Sequence, residues 1–298
     1  MKRNIFAFAL VAVVLVEGCV ESDGGVTVSS KSTGISINGF SVNPAEARSG
    51  QTVLAKLEIQ NDGQRDVNAT DYFALLISGS EWTTDSAAKQ KPSPLRYARG
   101  DEKPVPQIFI WNVKVPPSRG IDTPSDFTGR VYYKYQTEAV NTVSIYPASE
   151  QQTATDKTSN VVSKGPIELV IEVNPDPPVI FSPGDEFTVS IKVKNIGGGV
   201  VYGISSDKTT PSITDQTIEQ ERLGKVTLSV PALPSNLEWT DTSCFENIQF
   251  FGTSKEETTT CGIRVKTMPQ AKSQVTMRFI ANYGYYIDAK SNVVLKAR

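Results

Sequence analysis

Three observations predict an all-β chain made of two tandem β-sandwich domains behind an N-terminal leader. The first is a stretch used twice: Ser49 to Gly63 reads SGQTVLAKLEIQNDG, and Pro183 to Gly197 reads PGDEFTVSIKVKNIG. Gly50 matches Gly184 and Asn61 matches Asn195 at one constant offset. Val53, Ala55, Leu57 and Ile59 alternate with polar residues, as do Phe187, Val189, Ile191 and Val193. That is the period of a half-buried strand. The second observation is composition: valine, threonine, serine and tyrosine are plentiful and helix-favouring runs are scarce. The third is a recurrence of short alternating segments bounded by Gly, Pro and Asn turns.

The 298 residues suffice for two ordinary domains, and a hydrophobic fraction of 39% can supply a core in each. The expected first domain spans 35–147. Its opening strand, Ile35 to Val42, ends at Asn43-Pro44. The repeated strand follows and stops at Asn61-Asp62-Gly63, a strong turn signal. Val67 to Ile77 gives a third strand, and Glu81 to Pro104 reads as a long irregular loop. Alternation returns from Val105 to Val115, and Phe127 to Gln136 with Ala139 to Tyr146 reads as a closing hairpin. Residues 148–165, rich in Gln, Thr and Ser, form the expected linker, with Val161-Val162 able to belong to a terminal strand.

The second domain, 166–298, repeats the plan. Ile167 to Val173 ends at Asn174-Pro175, and the repeated strand runs into Ile196-Gly197-Gly198-Gly199 and then Val200 to Ile204. Ile218 to Leu223 reads as a short helical turn, and Lys225 to Val230 as a strand. Phe245 to Lys266 reads as a hairpin with a polar tip, and Gln274 to Tyr283 with Tyr285 to Leu295 as the closing pair.

The chain has no histidine. This removes Ser-His-Asp and Cys-His catalysis, HExxH zinc sites and most transition-metal sites together. The expectation is a protein that is not an enzyme and carries no catalytic, cofactor-binding or metal-binding residues. Carboxylate-only chemistry, such as glycoside hydrolysis by a pair of acids, is the enzymatic alternative. The net charge of −2 supplies no field for nucleic acid.

Lys2 and Arg3 precede an apolar run from Ile5 to Val16, and Gly18-Cys19 and the polar segment from Glu21 follow. Charge, length and order are those of a secretory signal, residues 1–19. The run is about half of the ~20 residues that a spanning helix needs, so a cleaved signal is expected, with an uncleaved anchor as the alternative. Val16-Glu17-Gly18-Cys19 resembles the lipobox of prokaryotic lipoproteins, although Glu17 departs from that pattern. The resemblance implies lipidation at Cys19, a membrane anchor and an extracytoplasmic location. Residues 20–34 would be a flexible tether. With Cys19 used so, Cys244 and Cys261 remain as a pair. In an exported chain they are expected to form a disulfide worth ~3 kcal/mol by loop-closure entropy, with two free thiols as the alternative.

Four further features were weighed against plain structural roles. Asn68-Ala69-Thr70 is a glycosylation sequon on an exported chain, placing Asn68 as a possible modification site. Trp82, Arg96, Tyr97 and Arg99 mix basic and aromatic character in the long loop and form the expected contact surface; Arg99-Gly100-Asp101 reads as a solvated turn. Tyr133, Tyr135, Tyr283 and Tyr285 are expected in the core, and Tyr132 and Tyr286 on the opposite strand faces. Asp176, Asp185 and Glu186 bracket a turn, where solvated carboxylates are the default over a calcium site.

The succession of strand, Asn-Pro turn, Gly-led strand and Asn-Gly turn resembles the immunoglobulin-like modules of prokaryotic surface proteins. The nearest group is the CARDB-like and S-layer-associated domains of archaeal exported proteins. Ser49-Gly50, Pro183-Gly184, Asn61-Asp62-Gly63 and Asn195-Ile196-Gly197 carry the resemblance. It implies a lipid-anchored envelope protein that binds protein or glycan partners, adheres, or builds envelope structure. The alternative is a subunit of a surface filament or envelope complex joined through edge strands.

Overall fold

The computed structural model describes residues 33–85, 87–90, 92–118, 120–147, 159–204, 223–246, 248–267 and 271–297. The leader, Cys19 and most of Ile218 to Leu223 lie outside the described residues.

The described chain is all-β. Its strands are β1 (Ile35–Asn43), β2 (Glu46–Ala47), β3 (Thr52–Asn61), β4 (Tyr72–Ile77), β5 (Thr83–Thr84), β6 (Lys89–Gln90), β7 (Gln107–Lys114), β8 (Thr123–Pro147) and β9 (Ser159–Val162). There follow β10 (Ile167–Asn174), β11 (Val179–Phe181), β12 (Glu186–Asn195), β13 (Val200–Tyr202), β14 (Lys225–Ser229), β15 (Leu237–Trp239), β16 (Ile248–Gln249), β17 (Glu256–Val265) and β18 (Ser273–Leu295). The alternating residues that defined the repeated stretch form β3 and β12, buried on the expected faces. Among the described residues no helix is long and apolar enough to cross a membrane.

Three sheets result. Two have four strands, in the orders β1-β3-β7-β5 and β10-β12-β17-β15. The third has ten, with β18 and β8 at its centre. Both small sheets pack on one face of the large one, because the buried residues of β8, from Phe127 through Val131, Tyr133 and Ala139 to Ile145, share one parity along the strand. On this face Gly129 leaves room for the partner sheet: a Cβ there would sit 2.9 Å from the Phe40 ring.

The expected closing hairpins do not form. Residues 123–147 are one strand and 273–295 another, and the two pair antiparallel along the whole of β18, from Ser273↔Ile145 to Leu295↔Thr123. Gln136-Thr137-Glu138 holds no turn residue. Gly284 turns nothing either: it lies flat beneath Tyr202, whose ring would be 2.1 Å from a Cβ at that position. The Phe245 to Lys266 hairpin is also replaced, since β16 pairs with β14 and β17 with β12 in a different sheet. Within the expected linker, β9 pairs with β8. In the first half, Val67 makes only an isolated bridge to Leu95 before β4.

The duplication is visible as a pseudo-two-fold axis. The repeat maps Glu46-Ala47 of β2 onto Ile180-Phe181 of β11. Ala47 pairs in parallel with Leu295 of β18, and Phe181 in parallel with Pro147 of β8. Pro147 and Leu295 are therefore equivalent, and counting back along both strands makes Tyr135 equivalent to Tyr283. Those two residues are register partners, so the axis passes between them. Each half thus finishes its own short parallel strand on the long strand of the other.

Candidate functional site

The long central strands bring six tyrosines together. Tyr133, Tyr135, Tyr283 and Tyr285 line the core as expected; the hydroxyls of Tyr135 and Tyr285 reach half-buried partners, and that of Tyr283 a buried one. Tyr283 shares a 2.7 Å hydrogen bond with Thr137 Oγ1, and Tyr285 donates to Asn195 Oδ1 at 2.7 Å. Tyr135 donates to the Lys164 carbonyl at 3.2 Å and accepts from the Gln64 amide. Asn61 and Asn195 brace the two equivalent turns in the same way, each donating to a carbonyl four residues on and accepting from an amide two residues on.

Tyr132 and Tyr286, expected on the opposite faces, lie there but are only 1% and 9% exposed. With Phe73 and Tyr202 they form a second aromatic cluster on the far face of the large sheet. The Arg130 guanidinium lies 4.3 Å from the Tyr286 ring centre and makes a two-pronged pair with Asp288 at 2.7 and 2.8 Å. Burial alone would lower the proton affinity of Arg130, but the hydrogen bonds to Asp288 and Tyr132 outweigh it and the charged form is reinforced. These rings are packing groups and are not open to stack on a ligand.

Alongside this cluster the same face is polar, and it meets the loop singled out in the sequence. Trp82 must be removed from that contact surface: it is 8% exposed and packs edge-on against Phe127 with ring centres 4.9 Å apart. An indole beside an apolar strand gains more by burial than by exposure. Arg96 and Arg99 are exposed and Tyr97 is half-buried. The Arg99 guanidinium stacks 5.2 Å from the Tyr97 ring centre and pairs with Asp66 at 3.3 Å, while the Tyr97 amide donates to Asp66 at 3.1 Å. Asp66 thus fastens the loop to the turn after β3.

That turn borders a cleft of about 270 Å³ lined by Arg65, Asp66, Asp71, Lys134, Gln136 and Asn282, among others. Arg65 holds Gln136 and Glu138, and Glu138 also takes a two-pronged pair from Arg278 at 2.6 and 2.7 Å. Gln136 donates to Asn282 at 3.0 Å. Lys134, half-buried, forms no ion pair among the described residues. Both carboxylates lining the cleft are engaged, Asp66 as above and Asp71 by Asn68 at 2.9 Å. Of these residues the sequence had drawn attention only to the neighbouring loop. Lys134 and Gln136 share a face of β8, Arg65 reaches them from the turn after β3, and Asn282 joins because β8 and β18 pair, which no local pattern announces.

The hydrogen bonds from Arg278 hold the Glu138 carboxyl below its ordinary value of 4.5, with the charges of Arg278 and Arg65 adding to the effect. A carboxylate depressed on folding contributes stability that is present above the unfolded value and is lost as pH falls through the folded one. Glu138→Gln is expected to lower stability by less than about 1 kcal/mol at neutral pH, because Arg278 is largely exposed. The deficit should vanish on acidification below pH 4.5, read as urea midpoints of both proteins across that range.

The remaining candidates are placed as follows. Asn68 is exposed, and its side-chain nitrogen donates to Asp71 at 2.9 Å. Cys244 and Cys261 form the disulfide, with Cα atoms 5.7 Å apart. Asp185 accepts from the Ser182 amide at 2.8 Å, and Glu186 pairs with Arg264 at 2.6 Å. Among the described residues no three acidic or sulfur side chains gather as a metal group.

No family model matches the chain, and no curated protein matches it. Among solved structures, the CupB6 tip adhesin from Pseudomonas aeruginosa is similar at 10% identity and a TM-score of 0.17, over 88% of this chain and 89% of that one. A TM-score of that size does not establish a shared fold.

Proposed function

We propose that the chain is a membrane-tethered, extracytoplasmic, non-enzymatic protein that acts as a binding, adhesion or envelope-structural module, built from two immunoglobulin-like sandwich units. The leader ending at Cys19 supports the tether. The observation that carries the binding role is the polar cleft. Lys134 lies there without an ion pair among the described residues, beside amides and a loop that Asp66 holds in place. Lack of histidine and the engagement of both cleft carboxylates support a non-catalytic reading. The ligand class that fits is a polar envelope component, a glycan or a protein surface, met by hydrogen bonds and by the exposed Arg96 and the half-buried Tyr97.

The test compares native chain with Cys19→Ser and with Lys134→Ala/Tyr97→Ala in host membranes. Lipidation predicts an acyl mass increment that Cys19→Ser abolishes together with membrane retention. Binding predicts that envelope components cross-linked to the native chain are lost from the Lys134→Ala/Tyr97→Ala protein while its melting curve is kept. An identical cross-linked set in both proteins overturns the cleft as the contact site.

A further inference from the structure

The internal duplication supplies a control for surface composition, because each position on one small sheet has an equivalent on the other. On the outer face of the first sheet, Lys56 pairs in register with Ile110, Glu58 with Ile108, and Leu54 with Asn112. On the second sheet the same positions are Ser190 with Thr260, Lys192 with Thr258, and Thr188 with Gly262. The second face is polar and cross-linked: Ser190 to Thr260 at 3.1 Å, Glu256 to Lys192 and Lys194, and Arg264 to Glu186 and Glu238. The first face instead leaves Leu54, Ile108 and Ile110 exposed by 41, 42 and 48%. The fold does not require that choice, since its other copy satisfies the same geometry with threonines.

We propose that this face, on β3 and β7, docks against the same face of a second copy of the chain. Self-complementarity argues for that occupant. The segment from Gln107 to Val113 carries no charge. Lys56 and Glu58 lie beside it, 3.5 Å apart on one strand, and Lys114 follows it at the exposed end of β7. A two-fold axis crossing β3 between them sets Lys56 against Glu58 of the other copy and Glu58 against its Lys56, so like charges do not meet. Ile108 and Ile110 then face Ile110 and Ile108 of the other copy instead of water, and Leu54 meets its Gln60. The edges of this sheet offer a poorer route. β1 carries a register shift between Ile37 and Gly39, and the β7 edge is met by β5, by the Asp85 amide and by Gln90. Two strands ~4.8 Å apart cover roughly a third of the ~800 Å² per partner of a standard interface. The association is therefore weak in dilute solution. It gains from confinement on a membrane, a point that rests on the tethered reading.

The experiment is sedimentation equilibrium of the full chain, extracted in density-matched detergent, from micromolar to near-millimolar concentration. The expected result is a reversible monomer–dimer equilibrium. Ile108→Thr/Ile110→Thr, which installs the residues of the second face, should weaken it about tenfold or more. Lys56→Glu should also weaken it, and Lys56→Glu/Glu58→Lys should restore it. Thr258→Asp/Thr260→Asp on the opposite sheet should leave it unchanged, and unchanged melting curves show that all the variants fold. A monomer throughout, or a dimer indifferent to Ile108→Thr/Ile110→Thr, overturns the proposal. Either outcome leaves the Cys19 mass measurement, and so the tethered reading, untouched.

Discussion

Residues 33–147 produced alone should fail to fold, and so should 159–297, whereas the two fragments mixed should assemble into a native-like complex. β8 and β18 pair along all 23 residues of β18. β2 and β11 each lie on the long strand of the other half. Cutting between the halves leaves β8 with Ala139, Val143 and Ile145 uncovered, and strips β2 of its partner. Each buried aliphatic side chain returned to water forfeits about 1.5–3 kcal/mol. Several of them, with the ladder's hydrogen bonds, rival the whole stability of a small domain, about 5–15 kcal/mol. The measurement is thermal unfolding by circular dichroism of each fragment and of the mixture. A cooperative transition in the 33–147 fragment alone would contradict the shared sheet.

Asp288→Ala should cost about 2 kcal/mol, below the ~3–5 kcal/mol of a fully buried pair. Arg130 is 14% exposed and Asp288 29%, and they stand directly opposite across the central ladder. Removing the carboxylate leaves the mostly buried guanidinium without its counter-charge, beside the Tyr132 and Tyr286 rings and bonded to the Tyr132 hydroxyl at 3.0 Å. Arg130→Met/Asp288→Ala removes the uncompensated charge and leaves an apolar chain against the rings. It should recover at least half of the loss, a coupling of about 1 kcal/mol or more in a denaturant double-mutant cycle. Additive losses would mean that the pair contributes packing alone.

How far each feature was legible depended on the range of the interaction behind it. β3 and β12 were legible because alternation between Gly50 and Asn61, and between Gly184 and Asn195, is local. The core tyrosines followed from the same parity. The false hairpins came from assuming that an apolar strand of ordinary length turns back on its neighbour. Gln136 to Glu138 shows no turn chemistry, and Gly284 was read as a break although its missing Cβ serves the Tyr202 ring. The basic and aromatic mix of the long loop points Trp82 to the surface, whereas its neighbour in space is Phe127.

By itself, then, the sequence determined that the chain is all-β, that one strand plan occurs twice, and which face of each repeated strand is buried. Side-chain period and turn residues suffice for that. Only the tertiary structure decided that the final strands of the two halves pair with each other, and that Lys134 and Asn282 thereby share a cleft. It also decided that one of two equivalent sheet faces remains apolar in water. The first two outcomes depend on pairing between residues more than a hundred positions apart, and the third on the register of β3 with β7; neither alternation nor turn chemistry carries a signal for either pairing.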